Sequence, residues 1–302
     1  DMNCAENICF IPADIEIWSN DQVRLVGKGF TSHDMFDTDI PVDVMDFYER
    51  APNWQKRIWG SCNINEESLS LLIVYLLNDN VAAAGDGGVL NGKAAHSWSL
   101  VRKSDFFPII EGVGPTDGCP DYMTSLRPET VACIAVGSLL HLVTTAEKIH
   151  SAIVPYYTDS LSVVQHASIL HWHAAKRIFE NDMDVILENH RLLRKLKVKL
   201  VPTHVYGHQD RVKHEHELTA VEKLNIRMDT LVSEFLDDPP DDLIPQEEAL
   251  FFPAQQVCLQ CDGITITSEL QERLVLNEKQ VIIQHYFEKH FKIVPQALDN
   301  VD

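Results

Sequence analysis

The chain has 302 residues, of which 45% are hydrophobic, so it can bury the core of one large domain or two modest ones. Its formal net charge of -20 has the wrong sign for general adhesion to nucleic acid. The sequence contains no run of about 18 apolar residues, so it predicts no membrane span, and no signal peptide is visible. Seven cysteines without a disulfide-dense spacing suit a reducing, intracellular compartment, nuclear or cytoplasmic.

The first part of the chain carries no motif with obvious chemistry. It opens with Asp-Met, which suggests a piece of something longer. We treat residues 1–75 as an N-terminal extension of unknown role. Near its end, Glu66–Leu77 (EESLSLLIVYLL) predicts a helix or a buried strand, between which periodicity does not decide.

The stretch Val81–Leu100 predicts a hairpin of two antiparallel strands. A run of small residues leads to Asp86, which precedes Gly87 and Gly88, so we expect this carboxylate at the exit of the first strand. An aspartate before two glycines is also typical of an ordinary turn. The importance of Asp86 therefore depends on whether later parts of the chain supply partners for it.

A third strand is predicted over Phe106–Val113, followed by a loop over Gly114–Tyr122. Thr124 and Ser125 are candidate N-caps of the next helix, where Pro128 is tolerated in the first turn. Apolar residues at helical spacing give this helix one apolar side: Cys133, Val136, Leu140 and Val143. Glu129 lies on that side, which is uncommon for a glutamate without a partner, although it could simply face the helix dipole.

Ile153–Tyr157 predicts a strand that leads to Asp159 and Ser160, before a helix over Leu161–Ala167. In open α/β sheets, ligands bind at the carboxyl ends of such strands. Further helix is expected over Ser168–Leu196. This region carries a histidine cluster whose spacing fits no standard zinc site: His166, His171 and His173.

A fifth strand is predicted over Lys199–Tyr206, followed by Gly207 and a loop that begins with His208. A helix from Leu218 carries Asp229 beside an apolar stripe made of Val221, Leu224, Met228, Leu231 and Phe235. The run from Arg191 to Lys213 has seven basic residues against one acidic residue, Asp210. We expect this run to form a basic patch near the site.

The C-terminal quarter begins with an acidic, proline-rich linker at residues 237–248, and a tail occupies 249–302. The tail predicts a hairpin over Val257–Thr267 and a helix over Glu269–Phe291. A single CxxC, Cys258 to Cys261, has no second pair and does not favour a metal site.

Taken together, Asp86, Glu129, Asp159 and Asp229 lie at element ends or on inward helix faces. Four carboxylates converging in one cleft would repel each other unless cations neutralised them. Oxygen ligands without thiolate favour magnesium or manganese. Two such ions form a standard site for phosphodiester hydrolysis.

The chain resembles the ribonuclease H type 1 family over about residues 76–236. The matching segments, in order, are GDGGVLNGKAAHSWSL, SLRPETVACIAVGSLL, PYYTDSLSVV, HVYGHQD and LNIRMDTLV. The resemblance is closest to ribonuclease H domains carried beside a reverse transcriptase in eukaryotic retroelement polyproteins. It implies an α/β fold with a mixed five-stranded sheet flanked by helices and with terminal extensions. It also implies cleavage of the RNA strand of RNA–DNA hybrids, with a reverse transcriptase domain as a possible partner and no membrane.

By matching position, the resemblance implies that Asp86, Glu129, Asp159 and Asp229 hold two Mg²⁺ ions, or Mn²⁺, with Asp86 bridging them. It implies a proton-transfer or product-release role for His208. Substrate contacts are implied at the following residues: Gly87, Gly88, Thr124, Ser125 and Ser160. Three positions depart from the family pattern without removing a metal ligand. Gly88 stands where serine is usual, Pro128 where alanine is common, and Leu161 where polar residues are frequent.

Two other interpretations stay open. The chain could be a catalytically silent scaffold or binding module of a retroelement polyprotein, which the acidic charge favours and the complete carboxylate set opposes. It could also be another nuclease or a transposase on the same superfold. The Gly-His loop before a helical aspartate disfavours that interpretation.

Overall fold

The computed structural model describes residues 8–10, 13–18, 22–27, 44–168, 181–246, 250, 252–253, 259–261, 264–265 and 267–268. The N-terminal part contains strands β1 (Ile8–Phe10), β2 (Ala13–Trp18) and β3 (Gln22–Gly27), then helices α1 (Val44–Glu49) and α2 (Asn53–Trp59). Next come β4 (Ser61–Cys62), α3 (Glu66–Leu77), β5 (Val81–Leu90), β6 (Lys93–Arg102) and β7 (Pro108–Thr116).

The second half alternates helices and strands. It contains α4 (Leu126–Ala146), β8 (Ile153–Thr158), α5 (Leu161–Ser168), α6 (Met183–Lys195), β9 (Lys199–His204), α7 (Ala220–Asp237), β10 (Leu259–Cys261) and β11 (Ile264–Thr265). Short 3-10 turns lie at Pro120–Tyr122, Gln209–Arg211, Glu215–Glu217 and Asp241–Leu243.

The main sheet is mixed and has the strand order β4-β7-β6-β5-β8-β9. The pairs from β4 to β5 are antiparallel, whereas β5–β8 and β8–β9 are parallel. This confirms the predicted α/β class with flanking helices. The sheet has six strands rather than five, because the two-residue strand β4 adds to the edge of β7.

Helices cover both faces of the sheet at β5. A Cβ atom added at Gly87 would meet Pro128 and Glu129 of α4, whereas one added at Gly88 would meet Val232 of α7. Since successive residues of a strand point to opposite faces, α4 and α7 lie on opposite sides. The sheet thus places the first turn of α4 and the body of α7 against the same short segment of β5.

Helix α4 is the centre of the core rather than a helix with one apolar side. Nearly all of its residues are buried, including Arg127 and Thr144 at its two ends. It is long and apolar enough to cross a membrane by length and composition, but 83% of its most apolar window is buried within the fold. Ser125 occupies the N-cap position with helical backbone angles and makes no side-chain capping bond, so the predicted cap is not formed.

The flanking segments join the same core. Ile58 and Trp59 of α2 are fully buried in the main cluster, and Trp59 donates a hydrogen bond to the Ala135 carbonyl of α4. Glu66–Leu77 is a helix, begun by a capping box between Asn65 and Ser68. Phe252 is also buried in this cluster, 5.7 Å from the ring of Trp54.

The predicted hairpin of the tail is present as β10 and β11, which pair antiparallel, with β1 on the other edge of β10. The predicted helix over Glu269–Phe291 lies outside the described residues, as do His171, His173 and the side chains of the CxxC segment.

Candidate functional site

Three carboxylates meet beside the centre of the sheet. Ligand oxygens of Asp86, Glu129 and Asp159 all lie within 4.8 Å of one another. Asp86 and Glu129 are buried, whereas Asp159 is half-buried. The sequence therefore predicted the convergence of these three residues correctly.

The register of the parallel strands brings two of them together. Ala84 of β5 pairs with Tyr157 of β8, so Asp86 comes level with Asp159, just beyond the end of β8. Asp86 is not at a strand exit as expected, because β5 continues to Leu90 and pairs with β6 throughout. The parallel neighbour ends at Thr158, and its end opens the space that the carboxylates occupy.

The third carboxylate comes from the first turn of α4. Glu129 Oε2 accepts a hydrogen bond from Thr158 Oγ1 at 3.4 Å, which ties it to the end of β8. Asp86 Oδ1 accepts one from the Gly87 amide at 2.8 Å. Because a Cβ on Gly87 would lie 2.3 Å from the Glu129 amide nitrogen, only glycine allows α4 to come this close to β5.

The electrostatics of the cluster oppose full ionisation without a cation. Burial, and then the negative charge of Asp159, raise the pKa of Asp86 to about 7. Burial, followed by the charges of Asp86 and Asp159, also raises the pKa of Glu129 well above its usual range. A site of this kind gains most from positive charge.

Asp229 of α7 lies at the exposed rim of the cluster. Its carboxylate is outside the group of three, yet its charge is among those that raise the pKa of Asp86. Its Oδ2 lies 3.6 Å from His208 Nδ1, and both side chains are partly exposed, 41% for Asp229 and 47% for His208. The structure thus places the predicted fourth carboxylate and the predicted histidine together beside the buried triad.

Gly207 closes the site from the loop after β9. A Cβ atom at this position would lie 2.2 Å from Asp159 Oδ2. His208, the next residue, has the left-handed φ of 49° and begins the turn that returns toward α7. Sequence reasoning identified Gly207 only as a strand boundary; a glycine between a strand and the histidine loop was the available signal.

Several of the predicted substrate contacts have polar atoms that already form hydrogen bonds within the protein. The Ser160 hydroxyl accepts a hydrogen bond from the Val163 amide at 3.4 Å at the start of α5. The Thr124 hydroxyl donates to Asp182, while Ser125 is exposed at the start of α4. Gly88 faces Val232 of α7, with no room for the serine usual in the family.

The basic run Arg191–Lys213 is not one patch beside the site, contrary to expectation. Lys199 pairs with Ile153 at the start of parallel strands β8 and β9, whereas Asp159 lies just beyond their far ends. At about 3.3 Å per residue, the two ends are separated by roughly 17 Å. At the other end of the run, Lys213 already pairs with Glu222 in the first turn of α7, at 2.5 Å.

No protein-family model matches the sequence, and no curated protein matches it. Solved structures do. Ribonuclease H1 from the halophilic archaeon Halobacterium salinarum is 22% identical, with a TM-score of 0.35, over 52% of this chain and 98% of that one. The LC11 ribonuclease H1, solved in complex with an RNA/DNA hybrid, is 17% identical, with a TM-score of 0.37, over 52% of this chain and 96% of that one.

The prototype foamy virus protease–reverse transcriptase is 16% identical, with a TM-score of 0.37. The match covers 51% of this chain and 20% of the viral one. Identities and TM-scores of this size carry no information about activity.

Proposed function

We propose that the chain is a metal-dependent endonuclease that hydrolyses the RNA strand of RNA–DNA hybrids. The observation that carries this proposal is the group of Asp86, Glu129 and Asp159, two of them buried and one half-buried, with ligand oxygens within 4.8 Å of one another. Burying such a group is costly unless cations balance it. The sequence motifs that resemble ribonuclease H fall on these same residues.

The donor set fits two Mg²⁺ ions, or Mn²⁺. It offers carboxylate oxygens without thiolate, as hard divalent cations prefer. Asp86, Glu129, Asp159 and Asp229 would hold these ions. Such ions supply an activated water and charge stabilisation for the leaving oxygen.

The protein's own groups would orient the reaction and move protons. Thr158 fixes Glu129, the Gly87 amide fixes Asp86, and Gly207 limits the position of Asp159. His208 is exposed beside Asp229 at the rim, where its imidazole could pass a proton to or from the reacting groups. Gly87, Gly88, Thr124, Ser125 and Ser160 stay predictions for substrate contact.

The proposed substrate and context come from the resemblance. A hybrid is distinguished by its 2′-hydroxyls and groove shape, so we propose cleavage independent of base sequence. Domains similar to residues 76–236 accompany reverse transcriptases, and we propose such a domain as the partner. We keep residues 1–75, 237–248 and 249–302 as the flanking extension, linker and tail of this arrangement.

A hybrid cleavage assay tests the proposal. The full chain is incubated with a hybrid labelled on its RNA strand and with Mg²⁺, beside D86N and D159N. D237N is the matched control, since it changes an exposed aspartate at the last residue of α7. We expect RNA cleavage by the wild type and D237N and its loss in the other two variants. Equal background in all four proteins, with hybrid still bound, would favour the silent module instead.

A further inference from the structure

Arg127 is an arginine buried in the first turn of the core helix, two residues before Glu129. Its side chain is 1% exposed. Its Nη1 and Nη2 donate to the two carboxylate oxygens of Asp184 at 2.8 and 2.7 Å, and its Nε donates to the Asp117 carbonyl at 2.7 Å. All three nitrogens of the guanidinium are therefore held by acceptors inside the protein.

The loop before α6 holds the same turn from a second point. Asp182 is fully buried, and its carboxylate accepts hydrogen bonds from Thr124 and from Arg127 Nη1, the latter at 3.4 Å. Its amide donates to the Thr267 carbonyl at 2.7 Å. The segment that leads to Glu129 is thus fixed on both sides of Ser125.

Asp117 connects this inner network to segments that flank the sheet domain in sequence. Its carboxylate accepts two hydrogen bonds from Arg57 of α2, at 2.6 and 2.8 Å, and one from the Gln246 amide at 2.9 Å. Arg57 Nη2 also donates to the Ile244 carbonyl at 2.7 Å. Asp117 therefore binds Arg57 and residues 244–246 with its side chain while it binds Arg127 with its carbonyl.

The first turn of α4 packs tightly against β5 at Gly87, so it cannot move toward the strand when this network changes. A Cβ on Gly87 would lie 2.3 Å from the Glu129 amide nitrogen and 2.5 Å from the Pro128 carbonyl carbon. Asp86, next to Gly87, shares the cluster with Glu129. A rotation or retreat of this turn must therefore alter the spacing between the carboxylates of Asp86 and Glu129.

We propose that Arg57 and Asp117 are positioning residues of the carboxylate site, which fix through Arg127 the turn that presents Glu129. The inference rests on the proposed function, because it assigns α2 and residues 244–246 a role in metal binding at that site. Groups that orient metal ligands from behind commonly change metal affinity by about 10- to 100-fold when removed. Arg57 and Asp117 lie further back, so we expect about tenfold.

Calorimetric titration of the full chain with Mn²⁺ tests this, with hybrid cleavage measured in parallel. The variants are R57Q, R57K and D117N, and D117N keeps the backbone carbonyl that Arg127 uses. R102Q is the matched control. It breaks another arginine–aspartate pair with two hydrogen bonds, between Arg102 at the end of β6 and Asp105 in the turn that leads to β7. Urea unfolding confirms that each variant is folded at the titration temperature.

We expect R57Q and D117N to bind Mn²⁺ about tenfold more weakly and to need more Mn²⁺ for half-maximal cleavage. R57K should be intermediate, because its one ammonium nitrogen stands in for the two guanidinium nitrogens that bind Asp117. R102Q should match the wild type. If R57Q and D117N lose stability yet bind Mn²⁺ like the wild type, the network is only structural and the inference is wrong. A wild-type chain that neither binds Mn²⁺ nor cleaves would overturn the proposed function, and this inference with it.

Discussion

Asp86 and Asp159 meet because β5 and β8 run parallel with Ala84 opposite Tyr157. Two residues further on, β8 has ended while β5 continues. Asp86 therefore lies within a strand, whereas Asp159 lies just beyond the carboxyl end of the neighbouring strand. Glu129 reaches the same point from the helix above. Burial of Asp86, and then the negative charge of Asp159, raise the pKa of Asp86 to about 7, and this shift gives the first prediction.

D86N should stabilise the metal-free protein while removing its stabilisation by Mg²⁺. A carboxyl group whose pKa is raised on folding binds its proton more tightly in the folded than in the unfolded state. Stability is therefore lost as the pH rises from about 4 toward 7. Removing the group should add on the order of 4 kcal/mol at pH 8, because a shift of about three pKa units corresponds to about 1.4 kcal/mol for each unit. Urea unfolding of the wild type and D86N at pH 8, with and without Mg²⁺, measures the metal-free stability and the stabilisation by Mg²⁺. If D86N is less stable than the wild type without metal, the negative charge of Asp86 does not destabilise the fold and the prediction is wrong.

His96 should give a pH dependence of the opposite sign. It is fully buried between the Ile58 carbonyl and the Thr116 hydroxyl, and burial lowers its pKa to about 4. The unfolded state binds the proton of His96 more tightly than the folded state. The contribution of His96 to the free energy of unfolding is therefore complete above about pH 6.5 and declines as the pH falls toward 4. The expected slope is about 1.4 kcal/mol per pH unit.

The measurement compares unfolding free energies of the wild type, H96Q and H204Q between pH 4 and 7. H96Q can keep both hydrogen bonds and should flatten the profile, whereas H204Q removes an exposed histidine of β9 and should leave it unchanged. Identical slopes in H96Q and the wild type would show that His96 is not the titrating group.

G88S, which restores the serine usual in the resembled family, should destabilise this chain. A Cβ at Gly88 would lie 2.6 Å from Val232 Cγ1, and Val232 is buried on α7. Overpacking of this kind costs about 1–3 kcal/mol. The double variant G88S/V232A should recover part of the loss, since it removes the clashing methyl groups. Thermal unfolding of the wild type, G88S, V232A and the double variant gives the coupling free energy between the two positions. Additive changes in stability would argue against a contact between Gly88 and Val232.

G207A should reduce cleavage with little effect on stability. The added methyl group would meet Asp159 Oδ2 at 2.2 Å, and the short carboxylate can turn away into solvent at small cost to the fold. It then leaves the cluster, for which we expect a loss of about 10- to 100-fold in activity. Cleavage rates at saturating Mg²⁺ test this, with G137A as the control because a Cβ there meets only Leu192 side-chain atoms at 3.9 Å. Unchanged activity in G207A would separate Gly207 from the site.

Much of the site could be predicted because each carboxylate has a local signal. Asp86 and Asp159 come after apolar runs, and Glu129 stands on the apolar side of a helix. The continuation of β5 beyond Asp86 could not be foreseen, since Gly-Gly is equally compatible with a turn and depends here on pairing with β6. Gly207 was missed because its role arises from a contact with Asp159, which lies far from it along the chain.

Composition does not show what residues 237–248, the proposed linker, contact in the fold. The Gln246 amide donates a hydrogen bond to Asp117, and the Ile244 carbonyl accepts one from Arg57. Backbone hydrogen bonds of this kind leave no trace in residue type. For the basic run from Arg191 to Lys213, composition predicts one patch. Strand β9 separates the two halves of the run in space, so they do not form one patch.

Anomalous diffraction from Mn²⁺-soaked crystals of the full chain tests the central claim most directly. We predict an anomalous peak within ligand distance of Asp86, between Glu129 and Asp159, and its absence from D86N crystals soaked in the same way. A wild-type crystal with Mn²⁺ elsewhere, or with none between these carboxylates at millimolar concentration, would contradict it.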